Sequence, residues 1–85
     1  MNSIRIYTTQ YCGYCVRAKA LLSKKNLAFE EIPVDNNIEL RSEVMRMSGQ
    51  RTVPQIWINE QHIGGCMELM QLEASGQLDQ ILASD

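Results

Sequence analysis

Apolar positions along the chain fall into short blocks of two kinds, and their alternation sets out a fold. Ile4-Arg5-Ile6-Tyr7 alternates and is β-branched, as a half-buried strand is. From Val16 to Lys25 the apolar residues Ala18, Leu21 and Leu22 recur at helical spacing, which predicts a helix from near Cys12 to around Asn26. Ala28 to Val34 reads as a second strand, and Pro33, unable to donate a ladder hydrogen bond, places it at a sheet edge or its end. Asn36 and Glu39 have capping-box spacing, with Asn in place of the usual Ser or Thr. The helix they open is expected to bury Leu40, Val44 and Met47 and to stop at Gly49.

Thr52-Val53-Pro54 leads into Gln55-Ile56-Trp57-Ile58, a strongly strand-like run. Asn59-Glu60-Gln61 reads as a tight turn and His62-Ile63 as a short return strand. Gly64-Gly65 breaks the chain before a third helix from Cys66 to Ser75, punctuated by Gly76. A terminal turn sets Leu78, Ile81 and Leu82 on one face. The order β-α-β-α-β-β-α predicts an α/β fold with a four-stranded mixed sheet. Its first two strands are parallel through a right-handed crossover, its last two form a hairpin, and helices cover both faces.

Composition narrows the picture. Eighty-five residues, 45% of them hydrophobic, predict one small domain over residues 1–85 with a single compact core. A net charge of −2 leaves no electrostatic footprint for nucleic acid or an anionic membrane. No apolar run approaches the roughly 20 residues of a membrane span, and the first residues lack a signal peptide's apolar stretch. Three cysteines, an odd number, argue for working thiols in a reducing, cytoplasmic setting rather than a secreted disulfide framework.

The candidate chemistry is the string Cys12-Gly13-Tyr14-Cys15 between the first strand and the first helix. At the first turn of a helix, unpaired N–H groups point outward with partial positive charge, and a thiolate is stabilised there. Cys15 follows on the same helix face, about 5–6 Å away between Cβ atoms, close enough for modest adjustment to give a disulfide. One cysteine is poised to attack and the other to resolve, at the carboxyl end of a strand where open α/β sheets place active sites. Cys12, Cys15, His62 and Cys66 also have the composition of a Cys₃His zinc site, but its halves lie far apart and His62 sits in a strand pattern. Val16 after the second cysteine excludes the haem-attachment string. Cys66 reads as a small buried or cap residue, His62 as a half-exposed strand residue, and Lys24-Lys25 as a solvated helix end.

Taken in order and at their spacing, several pieces resemble the glutaredoxins, most closely the short dithiol bacterial type. They are Ile6-Tyr7-Thr8, Cys12-Gly13-Tyr14-Cys15, Arg17-Ala18-Lys19-Ala20-Leu21-Leu22, Thr52-Val53-Pro54-Gln55-Ile56 and His62-Ile63-Gly64-Gly65-Cys66. The resemblance runs the whole chain and implies a thioredoxin-like fold with glutathione as reductant. It implies a monomer acting on disulfide-containing or glutathionylated proteins, with ribonucleotide reductase among the candidate targets. It implies that Pro54 is cis and faces the cysteines, leaving the N–H and C=O of Val53, next to Thr52, to pair with glutathione as an added strand. Gly64 and Gly65 would let the chain pass close to that ligand. The helix start at Cys66, Met67 and Glu68 would offer N–H groups to the γ-glutamyl carboxylate, and Tyr14 would flank the tripeptide.

Three departures from the family pattern bear on the expectation. Gly13 replaces the usual proline, which restores an N–H able to bond the Cys12 sulfur. Thr9 replaces a common lysine, leaving Arg41, with Arg51 as a second candidate, for the glycyl carboxylate and implying weaker glutathione binding. Met67 replaces a small or acidic polar residue and leaves Glu68 to bond the glutathione amine. Glutaredoxins with a small residue at the position of Gly13 can in some cases bridge a [2Fe–2S] cluster between two subunits. That implies an alternative carrier dimer with Cys12 and one glutathione from each subunit as ligands. Thioredoxin-like reduction by a flavoprotein reductase fits less well, because Tyr14 stands where thioredoxins carry proline.

Overall fold

The computed structural model describes residues 2–83. Four strands, β1 (Ile4–Thr8), β2 (Glu30–Pro33), β3 (Gln55–Ile58) and β4 (Gln61–Gly64), form one sheet in the order β2-β1-β3-β4. β1 pairs parallel with β2 and antiparallel with β3, and β3 pairs antiparallel with β4. Pro33 therefore does lie on an edge strand, opposite Thr8. Four helices complete the fold: α1 (Gly13–Lys24), α2 (Ile38–Ser48), α3 (Cys66–Ser75) and α4 (Gln77–Ala83).

Strand alternation sorts the core onto the two faces of the sheet. Ile4 and Ile6 of β1 and Ile56 and Ile58 of β3 point to one side, where they bury Ala18 and Leu22 of α1, Cys66 and Leu69 of α3 and Leu78 of α4. Tyr7 and Trp57 point to the other, against Val34 and Val44 of α2. Their rings meet edge to face at 5.4 Å and 83°, a geometry that adds about 0.5–1.5 kcal/mol to area burial.

The helix ends have identifiable causes. α1 closes in a Schellman motif: Asn26 takes a left-handed φ of 60°, its N–H bonds the Ser23 carbonyl, and the Leu27 N–H bonds that of Leu22. Gly49 and Gly76, both at positive φ, end α2 and α3. The start of α2 differs from expectation by one residue. Asn37, not Asn36, is the cap, its Oδ1 accepting the Leu40 N–H at 3.0 Å, while Asn36 takes a left-handed turn just before it. Met47 is also not buried; it lies 44% exposed because the α2 contact with the sheet is narrow and carried by Val44 with Leu40.

Two further corrections concern the edges of elements. The β3–β4 turn holds only Asn59 and Glu60, both at positive φ as in a type I′ hairpin, so Gln61 already belongs to β4. Lys25, read as solvated, reaches Glu73 of α3 at 2.8 Å and Asp79 of α4 at 2.7 Å, and these two carboxylates raise its pKa. The helical ends on that face are thus tied by one cation.

Leu22 is fully buried at the centre of the larger core. Replacing it by alanine is expected to lower the unfolding free energy by about 2–5 kcal/mol, measured by urea denaturation. A loss below about 1 kcal/mol would mean that α1 is not packed as described.

Candidate active site

The site is built from a helix start. Cys12 is the N-cap of α1, with extended backbone (φ −103°, ψ 109°), and its Sγ accepts the Cys15 N–H at 3.1 Å. A cap oxygen from Ser or Asp usually satisfies one of the unpaired N–H groups there; here a sulfur does so. The N–H that reaches the sulfur is that of Cys15 and not the one that Gly13 restores. The loop from β1 into the helix is pinned beforehand. Gln10 N–H donates to both carboxylate oxygens of Asp35 at 3.0 Å, and Tyr11 adopts a left-handed φ of 60° with its ring 96% exposed. A non-glycine residue in that conformation is uncommon, and here it turns the chain into the helix one residue before Cys12.

Across from Cys12 lies the loop that enters β3. The Val53–Pro54 peptide is cis, and the Cys12 thiol points at the Val53 carbonyl at 3.7 Å. The Val53 carbonyl, expected to face an added strand, is thus engaged by the thiol itself in this state. Loop position is fixed by Gln55, which is fully buried at the start of β3. Its Nε2 donates to the Thr52 carbonyl and to Gln50 Oε1, both at 2.9 Å. Its Oε1 is then the acceptor for the ring Nε2 of His62 at 2.8 Å. That assignment makes His62 Nε2 a proton donor, and the ring also lies on Trp57 at 4.7 Å between centroids. His62 is therefore a half-buried supporting residue.

The two cysteines are chemically unequal. Cys12 is partly exposed, whereas Cys15 is buried and its thiol is pushed up to about 12, first by burial and then by its hydrogen bond with Cys12. A backbone hydrogen bond with Thr9 and the charge of Lys19 act in the opposite direction. Cys66, the first residue of α3, is buried in the larger core with its Sγ 3.7 Å from Met70 Sδ, and burial raises its pKa as well. It packs as a small hydrophobe, in line with the sequence reading.

An open groove of about 290 Å³ runs beside the cis peptide, lined by Tyr14, Gln50, Thr52, Val53, Pro54, Gly65, Cys66, Met67 and Glu68. Eight of these nine were singled out from the sequence; Gln50 was missed, since a polar residue after a helix-ending glycine carries no distinguishing pattern. Arg17 lies over the Tyr14 ring at 5.8 Å, and Tyr14 and Met67 are each about half exposed. Arg41 is not brought to this groove: it lines a separate depression with Val34, Asn36, Asn37 and Ile38. Arg51 lies in another, with Met45, Arg46, Gly49 and Gln50.

Glu68 also behaves differently from expectation. Its Oε1 accepts the Gly65 N–H at 2.6 Å, so the carboxylate folds back on its own helix start as half of a capping box. That contact accounts for the paired glycines. A Cβ on Gly64, at φ 117°, would come within 2.8 Å of Glu68 Oε1, and one on Gly65 within 3.3 Å of the Pro54 carbonyl. Both glycines thus stand against parts of this chain, and the positive φ of Gly64 adds its own requirement. Among the described residues, no three His, Cys, Asp or Glu side chains gather as metal ligands.

A dithiol capping the first helix of a four-stranded mixed sheet and facing a cis-proline loop is the active-site arrangement of a thioredoxin-like thiol–disulfide oxidoreductase. Within that class the chain belongs to the glutaredoxin family, whose model matches residues 4–63. It is 51% identical over 84 residues to a glutaredoxin of Pseudomonas aeruginosa, covering 99% of this chain and all of that one. It is 52% identical over 82 residues to glutaredoxin 3 of Escherichia coli, covering 96% and 99% of the two chains. Among solved structures, the buckwheat glutaredoxin–glutathione complex superposes with a TM-score of 0.91 at 31% identity, covering 98% of this chain and 78% of that one. Brucella melitensis glutaredoxin gives 0.85 at 48% identity, covering 94% and 87%.

Two outcomes follow from this geometry. Gln55→Leu strands the Thr52 carbonyl and His62 and is expected to cost about 1–3 kcal/mol in chemical denaturation, with lower disulfide-reductase turnover. The Cys15 thiol gives the second, through its pKa of about 12 against an ordinary 9.0. Above pH 9 the unfolded chain releases that proton while the folded one keeps it, so stability falls as the pH rises from about 9 to about 12. Unfolding curves of the reduced protein should show a steeper alkaline loss than those of Cys15→Ser; equal slopes would contradict the buried thiol.

Proposed function

We propose that the protein is a glutathione-dependent oxidoreductase that reduces glutathione mixed disulfides and protein disulfides through Cys12 and Cys15. The observation that carries this reading is one continuous groove leading from the α3 N-terminus, past the peptide before Pro54, to the loop facing the Cys12 sulfur. The structurally similar buckwheat protein was solved with glutathione, which supports the same ligand here.

Tripeptide chemistry matches the groove walls. The Val53 peptide offers backbone hydrogen bonds to an extended cysteinyl residue in the manner of an added strand, with Thr52 and Pro54 flanking it. The α3 start, at Cys66, Met67 and Glu68, offers N–H groups to the γ-glutamyl carboxylate, and Tyr14 walls the thiol end. Glu68 has one oxygen committed to Gly65 and the other for the ligand's amine. Arg41 stands outside the groove, so the glycyl carboxylate would face solvent or draw Arg41 toward it.

In the reaction, the Cys12 thiolate attacks the glutathione sulfur of a mixed disulfide, and the target thiolate leaves and takes up a proton. Ionisation also withdraws the thiol proton from the Val53 carbonyl, which frees that acceptor for the bound tripeptide. A second glutathione thiolate then attacks the glutathione sulfur of the Cys12 mixed disulfide, so that glutathione disulfide forms and Cys12 leaves as its thiolate. With a protein disulfide, Cys12 attacks one substrate sulfur, Cys15 then attacks Cys12 Sγ and releases the substrate as its dithiol, and two glutathiones reopen the Cys12–Cys15 bond as they become glutathione disulfide. Positioning supplies much of the rate, since the groove holds the reacting sulfurs in line.

Turnover of a small glutathione mixed disulfide, supported by glutathione and its reductase, is the expected activity. Cys12→Ser should abolish it, and Cys15→Ser should spare it while removing reduction of protein disulfides. Absence of glutathione-supported turnover in the unaltered protein would overturn the reading, and equal loss in both variants would overturn the division of roles.

A further inference from the structure

On the side of the dithiol away from the tripeptide groove lies a second open cavity, of about 400 Å³, lined by both cysteines with Thr8, Lys19, Glu31 and Asp35. The redox cycle above uses none of the last four. Their arrangement is nevertheless specific. Lys19 stands one helical turn beyond Cys15, at i+4 on the same face of α1, about 5–6 Å away between Cβ atoms. Its ammonium is held at 3.0 Å by Glu31 Oε2, and the same oxygen accepts the hydroxyl of the buried Thr8 at 2.8 Å. Three elements, α1, β2 and β1, thus fix one cation over the cavity that Cys15 shares.

We propose that Lys19, held in place by Glu31 and Thr8, is the positioning residue for the resolving step, in which Cys15 displaces the thiol bound to Cys12. The inference rests on the dithiol cycle and not on the identity of the bound thiol. In that step Cys15 gives its proton to water in the open cavity, and its sulfur attacks Cys12 Sγ. The Cys12–Cys15 bond forms as the bond from Cys12 to the bound thiol breaks, and the departing thiolate leaves with the electron pair and is protonated by water. No outside oxidant or reductant enters.

The buried Cys15 thiol resists ionisation, which makes this deprotonation the costly part of the step, and the Lys19 charge acts against that resistance. Glu31 stays ionised, since hydrogen bonds from Lys19 and Thr8 lower its pKa, so the clamp on the ammonium persists at neutral pH. The other charged and titratable groups around Cys15 are Cys12, Tyr11 and Asp35 in the same cavity, and Tyr14, Cys66 and Glu68 across the groove. Arg17 lies beyond them over the Tyr14 ring and lines neither cavity, so Lys19 is the cation within the two cavities.

The test uses 5,5′-dithiobis(2-nitrobenzoate) and the reduced full chain in stopped flow. The first thionitrobenzoate released reports capture at Cys12, and the second reports its displacement by Cys15; Cys15→Ser should lose the second phase. For Lys19→Met, the second phase is expected to slow about 3- to 30-fold at neutral pH, the range for one charge at this distance in a partly solvated site. Its pH profile should move to higher pH, capture should stay within about twofold, and Lys19→Arg should restore the rate. An unchanged second phase, equal slowing of both phases, or slowing with an unmoved pH profile would overturn the proposal. Because no glutathione is present, the outcome is independent of whether glutathione is the ligand of the groove.

Discussion

The hydrogen bond from the Cys15 N–H to the Cys12 sulfur joins the local rule for starting a helix to the chemistry of the site. A helix leaves its first N–H groups unpaired, and they require an acceptor from the residue before the first turn. By placing a cysteine at that position, the chain makes the nucleophile proposed above its helix cap. The same geometry sets Cys15 one turn inside the helix, where burial follows from the packing of α1 on the sheet. Exposure of one thiol and burial of the other are thus two consequences of a single helix start, and the proposed division between attacking and resolving sulfur rests on them.

Around that point the molecule presents two different surfaces. On one side, the cis peptide before Pro54 and the start of α3 build a groove of backbone hydrogen-bonding groups, suited to an extended peptide-like ligand. On the other, the Lys19–Glu31–Thr8 cluster places a charge beside the buried sulfur. In the proposed cycle the first surface faces the ligand that arrives, and the second faces the thiol that must be ionised to expel it. Neither is assembled by a single element, since each draws residues from at least three parts of the chain.

Support for the groove comes from polar side chains that never reach its surface chemistry. Buried Gln55 holds the Thr52 carbonyl, Gln50 and His62 together, and a buried amide that satisfies its hydrogen bonds fixes a loop more firmly than apolar packing, which is tolerant of rotation. Glu68 closes on Gly65 and fills the space that two glycines leave. The hydrogen bonds that hold the groove in place are therefore made within the chain itself.

The sequence by itself determined the order of elements from β1 to α3, the edge placement of Pro33 and the start of the first helix at the cysteine pair. Each of these follows from short-range periodicity or from a residue's own backbone constraint. Capping was less legible: Asn36 and Asn37 are equivalent in composition, and only backbone φ decided which faces the helix. Tertiary structure alone decided that Lys25 binds two helices, that Arg41 stands apart from the groove, that the glycine pair accommodates Glu68, and that Lys19 shares a cavity with Cys15. These depend on distances between segments far apart in the chain, set by sheet register and helix packing, and no local pattern encodes them.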